Sequence, residues 1–238
     1  MHLVQARVSG RCDLAFEVLR AEARENGDGG HERVSDMVAR APVAVLAAVN
    51  ADFFTPEGGT VGPEIVDGRV RAAEPRPTFA WRPRSEPWVG VAGVTPTDVR
   101  LGWSVDRDAG DGATEAVGGF PDLIDQGGRV GDLEVGARPS FAAARHPRTA
   151  IGYDSRNGVI WMVVVDGRQD PYSAGMTLPE LADLFESLGV DEALNLDGGG
   201  SSALVVTGEP ANRPSDMTGE RAVVNALALV EDPTACAR

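Results

Sequence analysis

A run of three glycines between two apolar segments constrains this chain more than any other feature. Apolar residues lead into Asp197, Gly198–Gly200 and two serines follow, and a second apolar segment begins at Ala203. This order predicts a strand, a tight glycine turn and a second strand, paired as a hairpin over 195–206. Because glycines carry no side chain, another molecule can approach the backbone closely, and the N–H groups of the turn can converge on an anion. A plain hairpin turn is the alternative.

Short apolar runs separated by Gly- and Pro-rich stretches recur along the 238 residues. Val43–Val49 is apolar throughout, which predicts a strand covered on both faces. Val159–Val165 and Ala222–Val230 predict further strands, and Asp67-Gly68 predicts a hairpin turn. The acidic, Gly-rich stretch 106–119 is expected to be a loop. Its aspartates resemble those of a calcium-binding loop, but no glutamate closes the twelve-residue pattern, so a calcium site is not expected there.

Two helices are expected. Thr177 and Glu180 form a capping box with proline in the first turn, and Gly189 provides a stop signal. Val34–Val38 has helical spacing, with Ser35 as its expected N-cap. The sequence therefore predicts an α+β fold: a single domain over 1–238, with a mixed β-sheet core, two main helices and long Gly/Pro-rich loops.

Composition excludes several function classes. The net charge is −14, which disfavours binding to nucleic acid or to an anionic membrane surface. All 22 basic residues are arginine, so Schiff-base chemistry and a P-loop lysine are excluded. Three histidines and two distant cysteines do not make a zinc site. Cys12 and Cys236 are either two buried thiols or one disulfide, and an exported enzyme would favour the disulfide. No apolar run has membrane-spanning length, and the given sequence carries no signal-peptide pattern.

Polar residues stand at the ends of three predicted strands. The pairs are Asn50/Asp52, Asp166/Arg168 and Asn195/Asp197, and Arg148 stands at the start of a fourth strand. Carboxylates, a guanidinium and a glycine-rich turn are the groups that hydrolysis of an anionic ester or a glycoside requires. Taken singly, each of these residues is more often structural, because an Asp-Gly pair at a strand end is usually a turn.

Six motifs in order resemble the phosphodiester glycosidase family. They cover most of the chain, from about Val34 to Val230, and the ordered set is far more specific than any one motif. The motifs are Asn50–Phe54, His146–Gly152, Asp166–Arg168, Ser173–Leu178, Leu196–Ser201 and Asn212–Ser215 with Glu220-Arg221.

The resemblance implies a hydrolase that cleaves an N-acetylglucosamine-1-phosphodiester to free sugar and phosphomonoester; bacterial members are often related to exopolysaccharide. The implied catalytic residues are Asp197, Arg148, Asn50, Asp52 and Asp166. The implied substrate-binding residues are Gly198, Gly199, Gly200, Ser201, Asn195, His146, Arg168 and Arg221. Thr149 and Asp154 also match family positions, whereas Asp52 and His146 match bacterial but not animal members.

Chemistry suggests a role for each group. A carboxylate such as Asp197 can act as base or nucleophile at an oxocarbenium-like centre. Arg148 is expected to hold phosphate through two nitrogens. Asn50 and Asn195 suit recognition of sugar hydroxyl or acetamido groups.

The expected partner is a sugar-phosphate diester, with no nucleic acid and no membrane span. No cofactor is expected, and a divalent cation held by Asp52, Asp166 and Asp197 is the less favoured alternative. An extracytoplasmic or secreted bacterial location is expected, with the cytoplasm as the alternative. Two other functions compete with hydrolysis at carbon: a non-catalytic carbohydrate- or cell-wall-polymer-binding module, and a metal-dependent phosphodiesterase that cleaves the P–O bond.

Overall fold

The computed structural model describes residues 1–23, 29–72, 74–95, 98–101, 113–130, 133, 139–232 and 236. These residues form short strands and three helices. The strands are β1 (His2–Arg7), β2 (Leu14–Arg20), β3 (Ala44–Asn50), β4 (Glu64–Val66), β5 (Arg69–Ala72), β6 (Arg76–Trp81), β7 (Trp88–Thr95), β8 (Asp98–Leu101), β9 (Glu115–Gly118), β10 (Asp122–Asp125), β11 (Gly128–Arg129), β12 (Arg148–Asp154), β13 (Val159–Val165), β14 (Glu192–Asn195), β15 (Leu204–Val206), β16 (Glu209–Pro210) and β17 (Asn225–Glu231). The helices are α1 (Val34–Arg40), α2 (Pro139–Ala143) and α3 (Leu178–Ser187).

The strands form three sheets. Sheet A has the order β1-β13-β12-β14-β10-β11, sheet B has β16-β15-β3-β17-β2, and sheet C has β5-β4-β9-β6-β7-β8. Within the described residues, every pair of neighbouring strands is antiparallel. The predicted α+β class therefore holds, with more strand than helix. The predicted mixed β-sheet core is wrong, because the described strands form three sheets and all of their pairs are antiparallel.

Helices on the outer faces explain the unbroken apolar runs. Side chains of all three sheets share the main core, where Phe16, Phe79 and Ile151 are buried. The other face of sheet A packs against α3, and the other face of sheet B packs against α1. Strands β3 and β13 are consequently covered on both sides, although neither is parallel to its neighbours.

The helix predictions are confirmed except for one cap and one missed helix. Thr177 and Glu180 exchange hydrogen bonds as a capping box: Glu180 N donates to Thr177 Oγ1 at 3.2 Å, and Thr177 N donates to Glu180 Oε2 at 2.9 Å. Helix α1 begins after Arg33, which has no capping side chain. The prediction of Ser35 as N-cap is wrong, because Ser35 lies inside the helix and its N–H donates to Glu220 at 3.0 Å. The five-residue α2 was not expected.

Turn predictions are confirmed where the turn chemistry is local. Asp67 and Gly68 have φ of 51° and 71° and connect β4 to β5. The predicted loop 106–119 is too long, because residues 115–118 form β9; residues 106–112 lie outside the described residues. The Glu115 carboxylate accepts hydrogen bonds from the N–H groups of Val18 (2.9 Å) and Asp67 (3.1 Å), partners that no local signal reveals.

Cys12 and Cys236 form a disulfide across a sequence separation of 224 residues, with Cα atoms 4.9 Å apart. Of the two alternatives for these cysteines, the bridge is therefore confirmed. Among the described helices, none combines the length and the apolar character needed to cross a membrane.

Candidate active site

The polar strand ends of sheets A and B meet at one place. Strand β12 is antiparallel to β13 and β14, so Arg148 at its start lies beside the ends of both neighbours. In sheet B, β3 ends at Asn50, and the next residue, Ala51, accepts a 2.9 Å hydrogen bond from the N–H of Asp197. The two sheets are joined at this point, and the predicted strand-end residues surround the joint.

Asn50 fixes this joint. Its Nδ2 donates to the carbonyl of Asp197 at 2.6 Å, and its Oδ1 accepts from Thr149 Oγ1 (2.8 Å) and Ala203 N (3.0 Å). The side chain is 1% exposed, and both oxygen lone pairs are used inside the protein. Asn50 therefore positions Asp197, and the prediction that it recognises a sugar hydroxyl is not supported by these contacts.

The three glycines connect the two sheets. Strand β14 belongs to sheet A and β15 belongs to sheet B, and residues Gly199–Ser201 between them form one turn of 3-10 helix. The predicted hairpin over 195–206 is therefore wrong. The reason is that β14 pairs with β12 and β15 pairs with β3, so each strand has a partner far away in the sequence.

Most backbone amides of this turn are engaged. Four of them donate to acceptors inside the protein at 2.9–3.2 Å, and these are the amides of Gly198, Gly199, Ser201 and Ser202. The prediction that these N–H groups converge on an anion is wrong at those four positions.

The glycines instead make room for two guanidinium groups. Gly199 has a φ of +63°, and a Cβ atom there would lie 3.1 Å from Nη1 of Arg168. A Cβ atom at Gly200 would collide with Nη2 of Arg221. Two cations thus flank the turn. They can approach its backbone this closely only because the glycines carry no side chains.

Arg168 is the more available of these two cations. Its Nη2 lies 3.1 Å from Nδ1 of His146. Because arginine only donates, Nδ1 accepts, and the neutral imidazole carries its hydrogen on Nε2. Burial lowers the pKa of His146, and the charges of Arg168 and Arg148 lower it further. Arg168 is exposed and forms no ion pair with the described carboxylates, whereas Arg221 pairs with Asp216 at 2.8 Å.

Asp197 is a half-buried carboxyl beside this cationic turn. Burial raises its pKa, against the opposing influence of the Ser201 hydroxyl, the Gly198 amide and the charge of Arg221. The Ser201 hydroxyl is buried and lies near this carboxylate, although no hydrogen bond of full geometry joins them. A carboxylate of raised basicity next to guanidinium groups can act as a base or a nucleophile toward a bound anionic ester.

Asp52 lies behind the site at 2% exposure. Its Oδ2 accepts a 2.9 Å hydrogen bond from Gly62 N, and a Cβ atom at Gly62 or Gly118 would approach Oδ2 to 2.8 Å. Burial raises the pKa of Asp52 to about 7, despite the opposing effects of the Gly62 amide and the charge of Arg76.

Arg148 does not present a free two-nitrogen edge to phosphate. Its Nε donates to Met176 O at 2.9 Å, and its Nη2 donates to Phe141 O (2.7 Å) and Ala144 O (3.1 Å). The guanidinium is 5.3 Å from the centre of the Phe141 ring and is buried, which lowers its pKa to about 10. The predicted clamp through this edge is wrong, because helix α2 and the segment before α3 already occupy it.

Asp166 is a satisfied structural carboxylate. Burial tends to raise its pKa, but hydrogen bonds outweigh burial and hold the pKa below its usual value. Both oxygens are used by four donors: His2 Nε2 (2.7 Å), Tyr172 Oη (2.9 Å), Arg213 N (2.9 Å) and Asn212 Nδ2 (3.3 Å). Asp166 therefore holds two surface segments in place, and its predicted catalytic role finds no support in these contacts.

Two other predicted residues also have structural contacts. The amide of Asn195 donates to Phe120 O at 2.7 Å and to Leu196 O at 2.9 Å. Asp154 caps the turn after β12 by accepting from Asn157 N at 3.1 Å, at the end of the strand opposite the site.

Sequence reasoning missed one arginine and three phenylalanines at this site. The Arg76 guanidinium lies 5.5 Å from the Phe53 ring and 5.4 Å from the Phe120 ring, and Phe53 contacts Phe141 edge-on at 6.2 Å. Phe53 follows the polar residues after β3, and Phe120 follows the glycines after β9, so their positions near strand ends could have marked them as candidates. Arg76 begins an unremarkable strand of sheet C and carries no local signal.

No cluster of three or more His, Cys, Asp or Glu residues in the described part of the chain could hold a metal ion. The alternative of a cation shared by Asp52, Asp166 and Asp197 gains no support, because both oxygens of Asp166 are occupied.

The chain is similar to known proteins in sequence. The family model for phosphodiester glycosidase matches residues 44–230. A segment of 85 residues is 45% identical to the SPbeta prophage-derived uncharacterized protein YomE of Bacillus subtilis, covering 36% of this chain and 13% of that protein. A segment of 83 residues is 37% identical to N-acetylglucosamine-1-phosphodiester alpha-N-acetylglucosaminidase of Mus musculus, covering 35% of this chain and 16% of that protein. The matches thus span only a small part of these relatives.

The fold is also similar to a solved structure. The catalytic domain of the zebrafish N-acetylglucosamine-1-phosphodiester alpha-N-acetylglucosaminidase, auto-inhibited by its pro-peptide, superposes with a TM-score of 0.71 at 20% identity. The superposition covers 98% of this chain and 89% of that chain. At this identity the similarity concerns the fold alone.

Proposed function

Because the chain belongs to the phosphodiester glycosidase family, we propose that it hydrolyses a glycosyl-1-phosphodiester to a free sugar and a phosphomonoester. The animal relatives are named for action on N-acetylglucosamine-1-phosphodiester. We propose the same sugar class here, with a bacterial surface polymer or a related diester as substrate.

One observation carries this proposal. Arg168 and Arg221 lie against a turn of bare backbone, and the Asp197 carboxyl is at the start of that turn. Planar guanidinium groups match phosphate oxygens, and a chain of net charge −14 needs such a local cationic site to bind an anion.

The proposed reaction breaks the bond between the anomeric carbon and the bridging oxygen. The phosphate leaves with that oxygen and is stabilised as an anion by Arg168 and Arg221. Asp197 in its ionised form either removes a proton from the attacking water or adds to the anomeric carbon before water does. The oxygen of water ends on the sugar. Because the leaving phosphate is already anionic, protonation of the leaving group matters less than for an ordinary glycoside.

Two other predicted residues help to position these groups. Asn50 holds the Asp197 backbone, and Arg148 ties α2 to the segment before α3, next to His146. We propose positioning roles for both.

We also propose that the protein works outside the cytoplasm. The disulfide between Cys12 and Cys236 supports this location, because such bonds persist in oxidising compartments.

Hydrolysis in ¹⁸O-labelled water tests the reaction. A synthetic N-acetylglucosamine-1-phosphodiester is incubated with the protein, and both products are analysed by mass spectrometry. We expect the label in the sugar. Label in the phosphate would indicate a phosphodiesterase, and release of neither product from a panel of glycosyl phosphodiesters would indicate a binding module.

A further inference from the structure

The two arginines beside the glycine turn are anchored in the same way, but by side chains of different charge. Each arginine donates from Nε and Nη2, which lie on one side of the guanidinium, to a single side chain. Arg221 donates to the Asp216 carboxylate at 2.8 Å and 3.1 Å, and Arg168 donates to Nδ1 of His146 at 3.3 Å and 3.1 Å. One anchor is therefore a carboxylate and the other is an imidazole.

The contact with His146 leaves the other side of the Arg168 guanidinium facing the turn. Of all atoms, Nη1 and Nη2 of Arg168 lie nearest to the position that a Cβ atom of Gly199 would occupy, at 3.1 Å and 3.2 Å. A guanidinium has five N–H donors, and His146 accepts from two of them. The remaining donors have no acceptor among the described side chains, and Arg168 is exposed, so an anion beside the turn can reach them.

His146 can serve as a fixed acceptor because its backbone is held on two sides. Its N–H donates to Met176 O at 3.1 Å, and its carbonyl accepts from Met176 N at 3.0 Å. Gly175 has a φ of +98° and passes so close that a Cβ atom there would lie 2.3 Å from His146 O. The position of the imidazole is thus set by the chain segment before α3.

A neutral imidazole orients the guanidinium without cancelling its charge. Nδ1 accepts from Arg168, so it carries no hydrogen, and burial together with the charges of Arg168 and Arg148 lowers the pKa of His146. The Asp216 carboxylate, in contrast, compensates the charge of Arg221. Arg168 consequently keeps its full charge for an anionic ligand, in a chain whose net charge of −14 repels anions.

We propose that His146 is a positioning residue that orients Arg168 toward the phosphate of the substrate and acts on the phosphate only through Arg168. This assignment rests on the proposed function for the identity of the anion. It replaces the direct substrate contact that the family resemblance implied for His146.

Three variants of similar side-chain shape separate orientation from charge. Affinity for inorganic phosphate is measured by isothermal titration calorimetry, and thermal unfolding confirms that each variant folds. His146→Asn keeps a neutral acceptor near the place of Nδ1 and should bind phosphate within about threefold of the wild type, whereas His146→Leu removes the acceptor and should bind about tenfold more weakly. His146→Asp keeps an acceptor but compensates the charge of Arg168, so it should also bind about tenfold more weakly.

A double-mutant cycle separates positioning from direct binding. Arg168→Leu alone should weaken phosphate binding about ten- to a hundredfold, the usual range for a hydrogen bond to a charged group. Adding His146→Leu to that variant should weaken binding no further, because a positioning residue acts only through the group that it positions. Arg156→Leu is the matched control: Arg156 is an exposed arginine after β12, at the end of the strand opposite the site, and its loss should leave phosphate affinity unchanged.

The imidazole tautomer tests the proposal in the wild type, without any substitution. Long-range ¹H–¹⁵N NMR spectra near neutral pH should show the hydrogen of His146 on Nε2 and none on Nδ1. A hydrogen on Nδ1, an equal loss of affinity in His146→Asn and His146→Leu, a further loss in the double variant, or no phosphate binding by the wild type overturns the proposal. Phosphate binding with the expected pattern but without hydrolysis of any glycosyl phosphodiester would instead refute the proposed function and leave the role of His146 standing.

Discussion

Asp166 and Asp197 follow two strands that finish at the same end of sheet A, yet the hydrogen-bond donors around the two carboxylates differ in number. Asp166 directly follows β13, and Asp197 lies two residues beyond the end of β14. Four donors satisfy Asp166, whereas one backbone amide donates to the Asp197 carboxylate in full hydrogen-bond geometry. Burial raises the pKa of both carboxyls, but at Asp166 the hydrogen bonds outweigh burial and lower the pKa, whereas at Asp197 burial prevails and the pKa is raised. Position at a strand end identifies candidates, and the number of donors around each carboxylate separates the structural group from the one proposed to react.

The largest effect is expected from Asp197→Asn. Loss of a base or nucleophile should lower kcat by about 10²–10⁴-fold, with little change in melting temperature because few contacts depend on the charge. Steady-state kinetics on a glycosyl-1-phosphodiester, paired with thermal unfolding, measures both. Asp183→Asn on the exposed face of α3 is the control; it loses only an exposed ion pair with Arg129, worth about 0–1 kcal/mol, so kcat should stay unchanged and the melting temperature should change little. Near-normal turnover together with a clearly lower melting temperature would show that Asp197 only stabilises its own turn.

A smaller effect of the opposite kind is expected from Asp166→Ala. The substitution leaves buried donors unpaired, so the free energy of unfolding should fall by about 3 kcal/mol, or roughly 6–12 °C in melting temperature for a chain of this size. Turnover of the folded fraction should change less than tenfold. Denaturant unfolding and kinetics on the same preparation test this. A hundredfold loss of kcat at unchanged stability would remove the distinction between the two aspartates.

The smallest effect concerns pH. Because the folded state raises the pKa of Asp197 above its unfolded value of 3.8, the stability linked to this group is lost as pH rises through the folded pKa. Because the folded state lowers the pKa of Asp166, its contribution is present above the unfolded value and lost as pH falls through the folded pKa. Each group contributes at most about 1.4 kcal/mol per pH unit.

Melting temperature measured as a function of pH separates the contributions of Asp197 and Asp166 to stability. Asp197→Asn should flatten the profile above pH 4, and Asp166→Asn should flatten it below pH 4. The flattening above pH 4 should be partial, because burial also raises the pKa of Glu115 to about 7 and of Glu192 to about 8. Parallel profiles for the two variants would contradict the opposite shifts.

The sequence predicted those parts of the fold whose determinants lie within a few residues. The capping box at Thr177 and the Asp67-Gly68 turn are complete in four residues, and both are confirmed. The hairpin over 195–206 failed because the partners of its two strands, β12 and β3, lie far away in the sequence. The apolar runs correctly indicated strands that are buried on both faces of their sheet. Helices cover the outer faces of sheets A and B, so this burial does not require parallel strands.

For the site, the sequence located the strand ends but did not assign their roles. Asp166 could not be recognised as structural, because its donors come from His2 at the N-terminal strand and from the 212–213 segment. Arginine is a common phosphate ligand, but the Nε and Nη2 atoms of Arg148 donate hydrogen bonds to carbonyls of Met176 and of Phe141 in α2. Arg76 comes from sheet C, and only the folded chain brings its guanidinium against the Phe53 and Phe120 rings.

The Cys12–Cys236 bond turns nearly the whole polypeptide into a covalent ring. A protease that cuts once anywhere between these residues opens the ring without releasing a fragment, so both sides of the site stay in one molecule. The bond also brings two distant chain positions to within 4.9 Å between Cα atoms. A circularly permuted gene that joins Cys12 to Cys236 and opens the chain at an exposed loop would omit β1, which precedes Cys12, and would keep the pairings among the other strands.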